Sequence, residues 1–443
     1  AAPISFNGLV RHYDLRRGDN VADIQVNLVD KEARRLQSHA IVKQVRAAIQ
    51  SIGSRYGANI KMVEVPPGPP VLSTLVAEIY GPDYDQQIAV ARQVKTIMQQ
   101  TPDVVDVDWR VEHDQPEERL VVDKEKAMRL GVAPAQVAMT LRAATSGQNT
   151  GILHTDHAFS PVNISLQLAD DSKTNTRDLE NLPVINQQGM PVPVGSMVTA
   201  VKDLKAKSIY RKNQRRVVYV TADMAGQLES PSYAMSKISD QLKHIQLPNG
   251  YTLTENYTRQ PDFTDQFTLK WDGEWQITFE VFRDLGIAFL VVLLIIYMLI
   301  VGWFQNFTVP LIMLAAIPLS LIGIIIGHWL MNAFFTATSM IGFIALAGVM
   351  VRNSVLLIDF INIRLAQGIP LRQSIIEAGA VRTTPILLTA GAVVLGAVII
   401  LFDPIFQGLA ISLIGGTITS TFLTLLVVPL LYFKMMRKKL LHQ

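Results

Sequence analysis

The residue with the sharpest chemical consequence is Arg352, set within the run Leu346-Ala-Gly-Val-Met-Val-Arg-Asn-Ser-Val-Leu-Leu-Ile-Asp359. The apolar stretch around it, from Met340 to Ile363, is long enough to cross a bilayer. An ionisable side chain at the centre of such a span is costly and marks either an ion pathway or a contact between helices. Asp359 follows on nearly the same helix face, but about 10 Å further along the axis. That is too far for an ion pair, and Asp284 and Asp403 fall at helix ends. Arg352 therefore takes its anion from another chain segment, lines a hydrated cavity, or clamps helices as a purely structural cation. Arginine does not release its proton in a protein. In any proton-transport scheme it is the switching counter-ion, and a carboxylate elsewhere carries the proton.

Other groupings offer less. His154-Thr-Asp-His157 could supply metal ligands, but no helix fixes them and no second ligand cluster accompanies them, so a polar loop is expected. Arg211-Lys-Asn-Gln-Arg-Arg216 is one basic cluster without interleaved aromatics and reads as a solvated turn. The pairs Glu117-Glu118 and Asp170-Asp171 look like exposed loop residues with no acid–base role. No G-x-x-x-x-G-K-[ST] loop occurs, so no P-loop ATPase is expected in this chain. The reading is of a chain that is not an enzyme, with no catalytic residues, no metal ligands and no cofactor.

The elements that must position Arg352 follow from composition. Of 443 residues, 49% are hydrophobic, 17% are charged and none is cysteine, so disulfides and thiolate chemistry are excluded. The net charge of +3 is too small to imply a nucleic-acid partner. Charge concentrates before about residue 280, and residues 285 to 433 are nearly all apolar. The chain opens on Ala1-Ala-Pro-Ile-Ser5, which is no signal peptide, and the expectation is of a carboxy-terminal piece of something longer.

In the first part, Val21–Leu28 alternates like a strand, 39–52 has helical spacing, and Asn59–Val65 alternates again before Pro66-Pro-Gly-Pro-Pro70. The pattern repeats as a strand over 74–80, a helix over 84–99 and a strand over 104–112. Two such units predict α+β folds of the ferredoxin-like kind. Between 115 and 215 come short helices (124–130, 134–144) and strands (119–122, 162–168, 182–185, 191–194). A strand over 217–221, a helix over 233–245 and a strand over 251–257 could then complete the second unit. Phe267–Arg283, rich in Trp and Phe, is expected to lie as an amphipathic helix on the membrane surface.

Five apolar runs close the chain: Leu285–Val301, Val309–Leu330, Ala337–Ile363, Thr384–Leu401 and Gly408–Phe433. The basic tail from Lys434 and the cationic connection Arg364–Arg382 place the carboxy terminus in the cytoplasm and residues 1–280 outside. Small residues at Gly391, Gly396 and Gly415-Gly416 are expected to permit close helix packing. Hydroxyls such as Thr389 and Thr419 could instead join a polar relay.

These motifs, in order, resemble the resistance–nodulation–division (RND) transporters, in particular the hydrophobe/amphiphile multidrug efflux pumps. The resemblance is carried by Asn306-Phe-Thr-Val-Pro310, Ile317-Pro-Leu-Ser320, Gly348 to Phe360, Glu377 to Ala390, Gly415-Gly416 and Val428-Pro429. It covers essentially the whole chain as the carboxy-terminal half of a pump. It implies part of a porter subdomain over 1–68, a second porter subdomain over 69–112 and 216–268, and a docking subdomain over 113–215. An interfacial segment over 269–283, five transmembrane helices over 284–433 and a cytoplasmic tail over 434–443 would follow. The fold class implied is thus α+β periplasmic porter and docking subdomains (ferredoxin-like βαβ repeats) followed by an all-α transmembrane bundle of five helices.

The resemblance further implies a proton relay. Arg352 stands where many members have lysine, Arg382 and Thr389 match relay or water-path positions, and Asn353 and Asp359 lie beside it. The proton-binding aspartate pair would belong to the missing amino-terminal half. The implied function is proton-driven export of hydrophobic or amphiphilic drugs from the inner membrane or periplasm. The implied partners are a homotrimer of the intact pump, a periplasmic adaptor protein, an outer-membrane channel and the bilayer. The competing reading is an accessory for protein export or lipid transport built on the same helices, or a relative of sterol-sensing receptors.

Overall fold

The computed structural model describes residues 22, 24–30, 33–64, 71–156, 159–173, 175–226, 229–247, 250–403 and 405–441. Along the chain come α1 (Ser38–Arg55), β1 (Leu75–Tyr80), α2 (Tyr84–Gln100) and β2 (Val104–Trp109). Next are β3 (Pro116–Val122), α3 (Lys124–Arg129), α4 (Pro134–Ser146), β4 (Gln148–Leu153) and β5 (Val162–Leu166). The turns α5 (Asp170–Lys173) and α6 (Thr176–Glu180) lead to β6 (Pro183–Ile185), β7 (Pro191–Pro193) and β8 (Val198–Leu204). Then follow β9 (Arg211–Lys212), β10 (Arg215–Arg216), β11 (Val218–Met224), α7 (Pro231–Leu242), β12 (Thr254–Asn256) and β13 (Thr268–Gly273). Last come α8 (Glu274–Phe304), α9 (Thr308–Leu330), α10 (Ala337–Ala366), α11 (Leu371–Ile400) and α12 (Gln407–Leu441). The chain divides into two compact units, one of residues 1–110 with 211–443 and one of residues 111–210.

In the first unit β1 is the centre of a five-stranded sheet ordered β12-β13-β1-β11-β2. β1 runs antiparallel to both β11 and β13, and β11 runs antiparallel to β2, so β1, β2, β11 and β13 with α2 and α7 form a ferredoxin-like βαββαβ unit. Every β1 residue is buried, because both faces of the strand are covered. Leu75, Ala77 and Ile79 share one face, beside Leu269, Trp271, Val218 and Val220 of the neighbouring strands. α2 packs on the sheet and against α7 with Val90, Ala91, Val94 and Met98 buried, and Asp83 caps it by accepting from the Gln86 amide at 2.9 Å.

Two sequence expectations fail here. Thr268–Gly273 is a sheet strand, so the helix expected over 267–283 begins only at Glu274, as the start of α8. Leu269 and Trp271 alternate with Lys270 and Asp272, and the strand pairs with β1 from Leu75↔Gly273 to Tyr80↔Thr268. Trp271, whose type suggested a membrane surface, is fully buried and donates from Nε1 to Glu255 at 3.2 Å. At Gly273 (φ 78°) the strand turns directly into α8. A Cβ at Gly273 would lie 2.5 Å from the Ser73 carbonyl, so the turn demands glycine on both conformational and spatial grounds. The first expected βαβ unit is also not formed among the described residues. α1 is present, but residues 24–30 and 59–64 carry no strand, since no described residue offers either a ladder partner. Val21 and Val65–Pro70 lie outside the described residues.

The second unit pairs β3 with β8, from Pro116↔Leu204 to Val122↔Val198. Its small core gathers Ala127, Val132, Val137, Val184, Val194 and Met197 from the short helices and the segments between them. β4 pairs with β5 in a two-stranded ribbon exposed at every position. Sequence reading missed β4 and β8.

The five carboxy-terminal helices are long and apolar enough to cross a membrane. α11 starts at Leu371, so most of the expected Arg364–Arg382 connection is helix and its polar residues sit on helix ends. α9 and α12 approach most intimately where Gly323 and Gly327 meet Gly415. Gly391 and Gly396, expected to serve the same purpose, have no described atom within 4 Å of a would-be Cβ. A Cβ at Gly415 would come within 2.5 Å of the Gly323 carbonyl. Gly415→Val is therefore expected to lower the thermal midpoint of the detergent-solubilised chain by several degrees, with Gly391→Val near neutral. Equal effects of the two substitutions, read by circular dichroism melting, would refute glycine-mediated packing of α9 on α12.

Candidate functional site

The orientation of α10 is fixed by what it buries. Phe343, Leu346, Ala347, Met350, Ser354, Leu357, Ile358 and Ile361 face the bundle core. α12 packs alongside in a constant register: Gly342 sits against Ser412, Gly416 against Leu346, and the Tyr432 hydroxyl donates to Asn362 Oδ1 at 2.6 Å. Partners at these three levels are seventy positions apart. The same register sets Ser354 level with Thr424. Both hydroxyls, and that of Thr417, are buried without a hydrogen-bond partner among the described residues. The seam between α10 and α12 thus holds spare polar capacity of the kind that buried water fills.

With that face turned inward, Arg352 must face outward. Ile341, Ala345, Gly348, Arg352, Leu356 and Ile363 are exposed, at intervals of three or four residues or their sum, and Asp359 is half-buried on the same side. Arg352 has no ion pair or hydrogen bond to any described residue. Asn353, its neighbour in sequence, is only 5% exposed because one step along a helix turns the side chain by about 100°.

Arg382 lies over the ring of Phe360 at 5.2 Å, and Arg364 lies over the same ring at 5.2 Å. Arg364 also pairs with Glu377 at 3.3 Å, tying the ends of α10 and α11 together. Thr389 donates its hydroxyl to the Ile386 carbonyl at 2.9 Å. α10 and α11 run antiparallel across a short turn. Thr389 is about 10 Å beyond Arg382 and Asn353 about 10 Å before Phe360, so Thr389 stands level with Arg352 and Asn353. The five residues singled out from sequence therefore occupy two levels of one helix pair, and none bonds directly to another among the described residues. Phe360, which organises two of the cations, gave no signal in the sequence beyond its aromatic type.

A second polar cluster lies in the sheet. On the face of β1 opposite Leu75, Ala77 and Ile79, Glu78 is fully buried between Lys270 of β13 and Tyr219 of β11. Lys212 reaches from the β9–β10 hairpin to within 2.5 Å of both Glu78 and Asp272. Lys270 lies 3.7 Å and 3.4 Å from the same carboxylates, and the Tyr80 hydroxyl donates to Glu78 at 2.8 Å. The basic run Arg211–Arg216 is a turn as expected, through Asn213 and Gln214 at positive φ, and Arg211, Asn213 and Gln214 are exposed, but Lys212 turns inward and anchors this network. Burial and the adjacent Asp272 push the Glu78 carboxyl up to about 7. Against its own burial, Asp272 is held down at about 2 by its bonds to Glu78 and Lys212. Tyr219 is pushed up to about 12 by burial and by Glu78.

The remaining candidates assemble no site. Glu117 and Glu118 are exposed on β3, and Asp170 and Asp171 belong to the turn α5. His157 is outside the described residues, and no group of three metal-ligating side chains occurs among those described.

A ferredoxin-like sheet leads directly into five helices long and apolar enough to cross a membrane, the third carrying a central cation with no ion-pair partner among the described residues. The chain belongs to the AcrB/AcrD/AcrF family of RND proteins, whose pattern matches residues 3–436. It is 29% identical over 366 residues to the swarming motility protein SwrC of Bacillus subtilis, covering 80% of this chain and 32% of that protein. It is 25% identical to the cobalt-zinc-cadmium resistance protein CzcA of Cupriavidus metallidurans, covering 82% of this chain and 33% of that protein. Its fold matches the crystal structure of a heavy metal efflux pump with a TM-score of 0.63 at 23% identity, over 82% of this chain and 35% of the other. The chain spans about a third of the length of these relatives.

The sheet cluster makes stability depend on pH. A carboxyl whose pKa is raised on folding binds its proton more tightly in the native state, so stability falls as pH climbs from the ordinary 4.5 through about 7. Asp272 acts oppositely: its contribution is present above the ordinary 3.8 and is lost as pH falls through about 2. The sheet unit is expected to melt several degrees lower at pH 8 than at pH 5, and Glu78→Gln to flatten that difference. A Glu78→Gln protein with the wild-type pH slope would show that Glu78 is not the group responsible.

Proposed function

We propose that this chain is the carboxy-terminal half of a proton-driven RND exporter, with Arg352 as the fixed positive side of an electrostatic switch. The observation that carries the reading is the outward face of α10. A permanent charge sits mid-span beside Ala345 and Gly348, residues small enough to admit a closely packed helix, with no ion-pair partner among the described residues. The helix that meets this face would carry the proton-binding carboxylates. Ionised, they would pair with Arg352; protonated, they would release it. The cation itself keeps its proton throughout. Arg382, Thr389, Asn353 and Asp359 would flank the path at the two levels described, and the buried hydroxyls of Ser354, Thr417 and Thr424 would hold water beside it.

In this reading the helices cross the bacterial inner membrane, the sheet units lie in the periplasm and the basic carboxy-terminal end lies in the cytoplasm. The intact protein would work as a trimer with an adaptor and an outer-membrane channel. The cargo proposed is a hydrophobic or amphiphilic compound. Divalent metal is the second reading, favoured by the similarity to CzcA.

Growth of an efflux-deficient host on amphiphiles, and separately on cobalt, zinc and cadmium salts, separates the two cargoes. In the complete transporter, Arg352→Ala is expected to reduce resistance to the level of the empty vector with expression and assembly unchanged. The 443 residues alone are expected to give no resistance. Undiminished export by Arg352→Ala would remove Arg352 from the mechanism, and resistance from the isolated chain would overturn the shared-relay argument.

A further inference from the structure

The side of α1 that faces the ferredoxin-like unit is rich in ionic contacts, with only half-buried apolar residues between them. His39, Lys43, Arg46 and Gln50 recur at intervals of four, three and four, which places them on one helix face. Lys43 Nζ lies 2.7 Å from Glu229 and donates to the Gly226 carbonyl at 2.7 Å. Arg46 meets Asp106 at 2.6 Å, and Gln50 donates to the same carboxylate at 3.1 Å. Beyond the helix, the Met62 amide donates to Asp106 at 3.2 Å and Lys61 lies 2.5 Å from Asp108. Asp106 and Asp108 belong to the edge strand β2, and Glu229 to the loop before α7. Gly53 is the one α1 residue that is fully buried, and Val42 and Ile49 on the same side are only half-buried, so the ionic contacts carry much of this contact.

His39 makes the contact dependent on protonation. Its Nδ1 lies 2.7 Å from Glu64 and its Nε2 lies 2.9 Å from Glu229. A carboxylate only accepts, and a neutral imidazole has a single N–H to give. Both contacts are hydrogen bonds only when the ring carries both protons; in the neutral ring, one nitrogen lone pair confronts a carboxylate. The charged groups around the ring are Glu64 from the segment after α1, Glu229 from the loop before α7, and Lys43 from α1 itself, which shares Glu229. We infer that residues 38–64 and the ferredoxin-like unit are held together by a charge latch that His39 closes in acid and opens as pH rises. This latch is a property of the extramembrane unit and does not depend on what the protein carries.

The sign follows from the neighbours. The hydrogen bond to Glu229 raises the His39 pKa above its ordinary 6.5, burial opposes it and the bond to Glu64 adds to the rise; against its own burial, Glu229 is lowered by its bonds to Lys43 and His39. The stabilisation is complete below about 6.5 and is lost as pH rises through the raised value. High salt should weaken the same contact, since the partners are half-exposed and the screening length falls to about 3 Å at 1 M.

The absence of cysteine allows a clean measurement. Spin labels on Arg55→Cys in α1 and Gln100→Cys in α2, both exposed and outside the latch, report the separation of the two parts by electron–electron resonance. In the detergent-solubilised chain, a single short distance is expected at pH 5.5, with a severalfold larger long-distance population at pH 8.5. His39→Gln should abolish this pH response, and Glu64→Gln, which keeps the histidine, should move the midpoint to lower pH. Circular dichroism of each variant verifies that the unit is folded. Wild-type distances unchanged between the two pH values, or a folded His39→Gln chain with the wild-type response, would overturn the latch.

Discussion

The constraint on which the helical part turns is the packing of α10 against α12. A helix has one inward face, and the glycine contacts at Gly342 and Gly416, with the Tyr432–Asn362 bond, leave little freedom over which face that is. Rotating α10 to bury Arg352 would expose Leu346, Met350, Leu357 and Ile361, each at most 1% exposed now. Full burial of such side chains is worth about 1.5–3 kcal/mol each in water. Between lipid and protein the dominant loss would be their interlocking contacts. The outward position of the charge is thus set by the core, and any counter-charge must come to Arg352.

The extramembrane part shows a similar division between apolar and ionic construction. The helix-covered face of the sheet is held by Trp271, Leu75, Ile79 and Val94, whereas the opposite face is closed by the Glu78–Lys212–Asp272–Lys270 network. Buried ion networks of this kind specify geometry more than they add stability, because desolvation offsets much of the attraction. Here the geometry matters to the membrane part, since Lys270 and Asp272 sit on β13 and one glycine later the chain is in α8. A shift of β13 along β1 cannot be absorbed by a loop before it reaches the helix. It would also break the pairing of Glu78 with Lys270.

Much of the helical part was legible from sequence because long apolar runs leave few alternatives. All five helices were expected, and Arg352 was singled out on the third of them. Their ends were misjudged: α8, α10 and α11 extend past the apolar core in polar turns, and hydropathy cannot distinguish a polar helix end from a loop. In the sheet unit, alternation located β1, α2, β2, β11 and α7. It failed at β13, where Trp and Phe pointed to a membrane surface although Leu269, Lys270, Trp271 and Asp272 already alternated with period two. The strands expected over 21–28 and 59–65 do not appear among the described residues, because alternation states which face of a strand would be buried and not which neighbour pairs with it. Within the candidate site, residue types could nominate Arg352, Arg382 and Thr389. That Asn353 faces inward and that Phe360 lies between two guanidiniums depend on helix phase and neighbours, which one sequence does not contain.

The distribution of charge would let the two proposed proton responses coexist in one chain. Mid-span, a charge in low dielectric interacts strongly and over a long range, so a single arginine without an internal anion exerts a large field on whatever approaches. At α1 the partners are half-exposed, each pair is weak, and several must act together. A proton gained or lost there would alter one link among several and so weaken the contact without unfolding it. A proton gained or lost opposite Arg352 would change the only strong pairing available to that helix face. The first arrangement suits graded adjustment and the second, on the proposed reading, suits switching.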